Sequence, residues 1–244
     1  MENATTTLIA VGMLASCIFP LGIALRLSRH RDPHTLAPLL ISRTRRLAPL
    51  FAFLTAISLW VGAYALELLL DDFLLSVWMH RLVFVGVVLT PPAVLLAALE
   101  ATGRRLGRTG ETFLWSLLVP IPAISILLTL TNDHQALFWT PGALHRVGAL
   151  TPLGTVHGPW YWVHTAFSYS CVIAAFLLLA HRYIRSNRRL GEAPAVAVAF
   201  LIPWAANALH VFFHVGASID LTPPAFVITG VLLYRIMHRD IHRN

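Results

Sequence analysis

Long apolar runs alternate with short, arginine-rich polar segments along most of the chain. Seven runs approach the roughly 20 residues that a helix needs to cross a hydrocarbon core about 30 Å thick. They lie at 6–25, 47–70, 78–101, 113–131, 161–180, 193–215 and 221–237. Because backbone polar groups in lipid must be satisfied within their own segment, the pattern predicts helices. We expect an all-α, polytopic membrane protein, with residues 1–244 forming one seven-transmembrane helix bundle.

The positive charges are distributed unevenly between the segments that connect these runs. The chain contains 18 Lys and Arg residues, and all of them are Arg. Only Arg81 and Arg146 fall on one side of the predicted bundle, and the other arginines fall on the opposite side. Cytoplasmic loops carry the excess of positive charge. The distribution predicts an outside N-terminus and a cytoplasmic C-terminus.

Composition excludes several classes of protein. Only 12% of the residues are charged and 57% are apolar, whereas soluble domains have about 25% charged residues. Without Lys the chain cannot form the Schiff base that holds retinal. The net charge of +7 is spread over short loops between apolar runs, which favours contact with the lipid bilayer over nucleic acid. No catalytic motif is evident, and we expect no enzymatic activity in these residues.

Ionisable residues near the ends of the second and third runs predict either a structural ion pair or a pocket. Glu67 shares one helical stripe with Trp60 and Tyr64, at i, i+4, i+7 spacing. Arg81 lies in the first turn of the third run. Ionisable groups inside a membrane cost about 2.5–3.5 kcal/mol on insertion scales. The two residues would therefore pair across adjacent helix ends, or would form one wall of an outward-facing pocket.

Further polar residues lie in the outer halves of the fifth and sixth runs. The sixth run places Pro203, Asn207, His210 and His214 on one face, and the fifth places His164, Ser168 and Cys171 on one face with Tyr169 beside them. These faces would turn inward and join the pocket. The spacing of His210 and His214 also suits a metal ligand pair. An alternative interpretation is therefore a redox protein whose haem or metal is held by His164, His210 and His214.

The longest connection, 132–160, faces outside in this topology. It combines four glycines and three prolines with apolar residues, among them Trp139. A solvated linker would be more polar, and long structured loops are often functional. We expect a lid over the mouth of the bundle, with a short hairpin, that carries His134 and Trp139 as ligand-contacting residues.

An ordered set of short motifs resembles the seven-transmembrane N-terminal sensor region of bacterial and archaeal histidine kinases. The motifs are Trp60-x3-Tyr64-x2-Glu67, Arg81 with Gly86 and Pro91-Pro92, Thr102-Gly103, Thr131-Asn132-x-His134 with Phe138-Trp139, Gly158-Pro159 with Trp162-x-His164 and Phe167-Ser168-Tyr169, Pro203-Trp204-x2-Asn207, and Asp220-Leu221-Thr222-Pro223 with Phe226 and Thr229-Gly230. His210 departs from the family, which more often has an aromatic residue such as Tyr at that position.

The resemblance implies a multi-pass sensor module of a two-component system in a prokaryotic cytoplasmic (inner) membrane. The module would receive a small molecule or physical signal at the outer face. The last helix would pass the signal to a cytoplasmic partner or to a C-terminal output domain, since no phosphoacceptor or ATP-binding segment occurs in 1–244. A homodimer is one option, and a small transporter is a less favoured alternative function. The residues predicted to contact the ligand are Glu67, Arg81, His134, Trp139, His164, Tyr169, Asn207 and His210.

Overall fold

The computed structural model describes residues 11–16, 18, 20–23, 37–147, 149–185, 193–213 and 219–243. It is mostly helical, with one two-stranded sheet. The elements are α1 (Val11–Ile23), α2 (Ala37–Leu69), α3 (Phe73–Thr102), α4 (Arg108–Leu118), α5 (Pro120–Leu130), α6 (Asn132–Gln135), β1 (Trp139–Leu144), β2 (Leu153–His157), α7 (Pro159–Arg185), α8 (Ala193–Phe213) and α9 (Thr222–Arg243).

Four helical stretches in the described part of the chain are long and apolar enough to cross a membrane. They are Leu47–Leu69, Phe73–Thr102, Arg108–Leu130 and Pro159–Arg185. Two shorter apolar stretches, Val11–Ile23 and Ala197–Phe212, lie at the first and sixth predicted runs. The fourth predicted run is not one regular helix, because it divides into α4 and α5 at Val119. Pro120 and Pro122 each lack a backbone N–H, so regular helical hydrogen bonding is interrupted there.

Helices α2 and α3 form a tight antiparallel pair. The Asp72 side chain caps α3 by accepting a hydrogen bond of 2.8 Å from the Leu75 N–H, and Gly103 ends α3 in the left-handed conformation at φ +64°. Gly86 lies directly against Trp60, because a Cβ added to Gly86 would stand 2.7 Å from the Trp60 Cβ and backbone nitrogen. The absence of a side chain at Gly86 therefore allows the two helix backbones to approach closely.

Helix α3 is the centre of the described bundle. It contacts α2, α5, α7, α9 and β2, and two thirds of its most apolar stretch is buried. The corresponding stretches of α4–α5 and α7 are only 22% and 28% buried. The large exposed side chains on α4 include Phe113 and Trp115. These outer helices therefore present apolar surface away from the bundle, which suits contact with lipid.

The connection between α5 and α7 contains an antiparallel hairpin, as predicted for this segment, so the mostly α-helical fold includes two short strands. Strand β1 pairs with β2 in the register Trp139 to His157 and Leu144 to Leu153, with an irregularity between them. The Thr151 N–H donates to the Leu68 carbonyl at 2.9 Å, and the Thr151 hydroxyl donates to the Leu70 carbonyl. These bonds hold the hairpin against the end of α2. We call this end of the bundle the hairpin end.

Candidate functional site

A cavity of about 700 Å³ opens at the hairpin end. Its walls come from α2, α3, the hairpin, α7, α8 and Asp220, which lies just before α9. The lining residues are Trp60, Tyr64, Glu67, His80, Val83, Phe84, Val87, His145, Pro152, Leu153, Gly154, Thr155, Val156, His157, Tyr161, Trp162, Asn207, His210, Val211 and Asp220. Pockets of about 300–1,000 Å³ are typical of small-molecule sites.

Glu67 and His80 form an ionisable pair in the wall of this cavity. Glu67 is only 1% exposed, and it lies on the predicted stripe of α2 with Trp60 and Tyr64. The His80 Nδ1 lies 3.1 Å and 3.0 Å from its two carboxylate oxygens. Because a carboxylate only accepts hydrogen bonds, Nδ1 is the donor in this pair. The pair links the end of α2 to the first turns of α3.

Arg81 does not pair with Glu67, so that part of the sequence interpretation was wrong. Its guanidinium contacts Asp133 of α6 and lies 4.3 Å from the ring centroid of Trp78. Consecutive residues of a helix point about 100° apart, so His80 and Arg81 cannot both face α2. The His80 side chain faces α2, and the Arg81 side chain faces α6. Arg81 is buried, but it is not among the residues that line the cavity.

Asp220, which lies two residues before α9, lines the cavity. The Asp220 N–H donates to the Tyr64 hydroxyl oxygen at 2.6 Å. The Asp220 carboxylate accepts hydrogen bonds from the N–H and the hydroxyl of Thr222, the first residue of α9. An acidic side chain that accepts a hydrogen bond from a free N–H of a first helical turn acts as an N-terminal cap. The last helix is therefore capped by a residue that also lines the cavity.

A second, smaller cavity of about 70 Å³ lies beside the first. Its walls include Trp60, Tyr161, His164, Tyr169 and Asn207. The Tyr169 hydroxyl donates to the Asn207 Oδ1 at 2.8 Å and so joins α7 to α8. Because Trp60, Tyr161 and Asn207 line both cavities, the smaller one extends the larger one into the bundle.

His164 is buried within a network of hydroxyl groups. Its Nε2 lies 3.0 Å from the Ser168 hydroxyl, and its Nδ1 lies 3.4 Å from the Ser125 hydroxyl. The Trp160 indole N–H donates to the same Ser125 hydroxyl at 3.0 Å. Both ring nitrogens of His164 thus have partners inside the protein. This residue joins α5 to α7, and it borders only the smaller cavity.

The base of the hairpin rests on an aromatic cluster behind the cavity wall. Trp139 is fully buried, with its ring centroid 4.8 Å from that of His80 and 6.5 Å from that of Phe84. The amide oxygen of Asn132 accepts hydrogen bonds of 3.3 Å from the backbone N–H groups of Phe138 and Trp139. The Trp139 ring therefore packs against the His80 ring. His134 lies exposed on α6.

The structure brings together five of the eight residues predicted to contact a ligand. Glu67, Asn207 and His210 line the larger cavity, and His164, Tyr169 and Asn207 line the smaller one. Arg81, His134 and Trp139 do not line either cavity. Sequence reasoning missed the roles of His80 and Asp220. The signal for Asp220 was present, because an acidic residue before Thr222-Pro223 is typical of a helix cap.

The alternative of a metal or haem site gains no support from the geometry. His164 and His210 border different cavities, and His214 lies outside the described residues. Within the residues that the structure describes, no group of three or more His, Cys, Asp or Glu side chains has the arrangement to hold a metal ion.

Comparison with known proteins gives one family for almost the whole chain. The family model for the N-terminal 7TM region of histidine kinase matches residues 13–240. The matched region includes every element that lines the two cavities. It is a sensor region and not a catalytic domain. A comparison with individually curated proteins gave no match.

Proposed function

Because the chain belongs to the family of N-terminal 7TM regions of histidine kinase, we propose that it receives a signal in the larger cavity and transmits it through α9. The observation that carries this proposal is the position of Asp220. This residue lines the cavity and also caps α9. A ligand that contacts Asp220 and Glu67 would interact with α9 and with the α2–α3 pair at the same time.

Transmission requires two arrangements of the bundle that the ligand binds with different affinity. The hydrogen bond between the Tyr64 hydroxyl and the Asp220 N–H is the contact most directly affected by a ligand at this position. In one arrangement this bond holds the start of α9 against α2. In the other the ligand competes for the same groups, and α9 shifts relative to α2. The output is a histidine kinase domain, in a longer chain or in a separate partner.

The topology we propose has seven spans, an outside N-terminus and a cytoplasmic C-terminus. Helix α3 runs from the hairpin end to Arg104 and Arg105, and α7 runs from the hairpin end to Arg182 and Arg185. Positively charged residues favour the cytoplasmic side of a membrane, which supports an outward-facing hairpin end. The hairpin would then be a lid, because Pro152 and the strand β2 line the cavity on its outer side.

The proposal is tested by the transcripts that depend on this protein, a readout that does not require the signal to be known. The gene is deleted in its native host, and the transcripts that change define the output. Complementation then compares Glu67→Gln and Asp220→Asn with the matched controls Glu111→Gln and Asp71→Asn. Both control residues are exposed and lie outside the two cavities.

We expect the two control variants to restore the wild-type transcript levels. In cells that carry either cavity variant, the transcript levels should no longer respond to growth conditions. Immunoblots of membrane fractions establish that all variants are present in equal amounts. If both cavity variants restore the wild-type pattern and its response to growth conditions, the cavity is not the input site.

A further inference from the structure

We infer that the larger cavity binds an organic ligand that carries a protonated amine on an apolar body. This inference deepens the proposed function, since it names the chemical class of the signal. It rests on three properties of the cavity wall: the sign of its charges, the kind of hydrogen-bonding groups it offers, and the aromatic rings around them.

The charged groups that line the cavity are acidic. Glu67 and Asp220 line it, and none of the residues that the structure describes around it is Arg or Lys. The buried arginine nearest in sequence, Arg81, is turned away toward Asp133. The four lining histidines, His80, His145, His157 and His210, carry charge only when protonated. An anionic ligand would therefore face two carboxylates without a guanidinium to neutralise it.

The two acidic side chains also give the cavity wall charged hydrogen-bond acceptors. The carboxylates of Glu67 and Asp220 only accept. An ammonium group has three donors and no acceptor, so it complements this set of groups.

Aromatic side chains surround these acceptors. Trp60, Phe84, Tyr161 and Trp162 all line the cavity. Aromatic faces attract cations by about 0.5–2 kcal/mol and bury the apolar part of a ligand. A bare metal ion would not use these walls, and the described residues contain no metal-ligating cluster. The cavity volume of about 700 Å³ leaves room for an organic body attached to the amine.

Three probes of similar shape and different charge test this inference. They are the phenethylammonium cation, neutral 2-phenylethanol and the 3-phenylpropanoate anion. Each is titrated into the purified chain in lipid nanodiscs at about pH 8, where an aliphatic amine is still protonated, and binding is measured by calorimetry. Empty nanodiscs provide the correction for partition into lipid. The variant Asp220→Asn is compared with wild type and with the matched control Asp71→Asn.

We expect saturable binding of the cation, at least about tenfold tighter than that of the anion. Asp220→Asn should weaken cation binding about tenfold and leave 2-phenylethanol unchanged, and Asp71→Asn should behave as wild type. Equal or tighter binding of the anion would overturn the inference. The same holds for an absence of saturable cation binding up to about 10 mM, or for unchanged cation binding in Asp220→Asn.

The result is separable from the proposed function. If the cation binds as expected and transcript levels are unchanged in Glu67→Gln and Asp220→Asn, the ligand class is supported and the signalling role is contradicted. If the transcripts respond to both variants and the anion binds best, the signalling role stands and the ligand class fails.

Discussion

The two sides of the larger cavity are built in different ways. On one side, α2 and α3 approach so closely that Gly86 touches the backbone of Trp60, and Glu67 and His80 are paired between them. On the other side, the hairpin reaches α2 through Thr151, and its base is held by Asn132 and the aromatic cluster around Trp139. We refer to these as the helical wall and the hairpin wall.

We infer from this difference that the helical wall binds the ligand and the hairpin wall controls its entry. The helical wall holds the ionisable pair in a tightly packed interface, and packed interfaces resist deformation. Beyond its buried base at Phe138 and Trp139, the hairpin wall is held to α2 by a small number of hydrogen bonds, each of which contributes about 0.5–1.5 kcal/mol. Local opening is expected where few contacts must break. We therefore expect the hairpin wall to open for a ligand while the helical wall keeps its shape.

The largest effect should follow from Gly86→Ala, because it disrupts the helical wall. The added methyl group would lie 2.7 Å from the Trp60 Cβ, and the helices would have to separate. Overpacking of this kind costs about 1–3 kcal/mol, and we expect a lower unfolding temperature and loss of ligand binding together. The matched control is Gly110→Ala, whose methyl group would stand at an ordinary 3.5 Å from the Leu106 Cβ.

Thermal unfolding of both glycine variants, followed by size-exclusion chromatography in detergent, gives the comparison. A Gly86→Ala protein as stable as the Gly110→Ala protein would show that the close approach of α2 and α3 is not required.

The next effect should follow from Gly158→Ala, which disrupts the base of the hairpin wall alone. A methyl group at this position would lie 2.3 Å from the Leu137 carbonyl oxygen. It would also strain the 2.8 Å hydrogen bond from the Gly158 N–H to Phe138. We expect faster hydrogen exchange at 139–157, with exchange in α2 and α3 unchanged. Gly107→Ala, with nothing within 4 Å of the added Cβ, is the control.

If exchange rises equally in the hairpin and in α2–α3, the two walls form one cooperative unit and the distinction between them is lost.

A smaller effect should follow from Thr151→Val. The substitution removes the hydroxyl that donates to the Leu70 carbonyl, and keeps the backbone bond of 2.9 Å to Leu68. Loss of one such bond costs about 1 kcal/mol, so β2 should open about fivefold more often. Hydrogen exchange of residues 153–157 measures this opening. The exposed Thr140, whose hydroxyl makes only a 3.4 Å contact, offers Thr140→Val as a control that should leave exchange unchanged.

Part of this site was predictable from local sequence patterns. The i, i+4, i+7 spacing of Trp60, Tyr64 and Glu67 correctly predicts that they share one face of α2, because helical periodicity alone decides it. The same argument brings Asn207 and His210 to one face of α8, and the structure places both at the larger cavity.

The partners of Glu67 and Arg81 were not predictable in this way. Helix α3 lies at the centre of the bundle and is apolar on all sides, so its sequence has no polar face that fixes its rotation. Without that rotation, residues 80 and 81 were equally good candidates to face Glu67. The bonds from Thr151 to α2 join residues about 80 positions apart, and no local pattern reports such a contact.

The smallest effect on stability, and the sharpest test of how the helical wall reaches the output, should come from Tyr64→Phe. The substitution keeps the ring and removes the oxygen that accepts the hydrogen bond from the Asp220 N–H at 2.6 Å. Hydrogen bonds between membrane helices contribute about 0.6 kcal/mol on average, so the unfolding temperature should barely change. The cap of α9 by Asp220 remains intact, but its tie to α2 is lost. We therefore expect altered output transcripts at wild-type abundance, together with tighter binding of phenethylammonium, because the ligand no longer competes with the bond between Tyr64 and Asp220. Ser170→Ala, which removes an exposed hydroxyl that donates to the Ala166 carbonyl within α7 and leaves α9 untouched, is the control. A Tyr64→Phe protein with the wild-type transcript pattern would mean that α9 receives the signal through another contact.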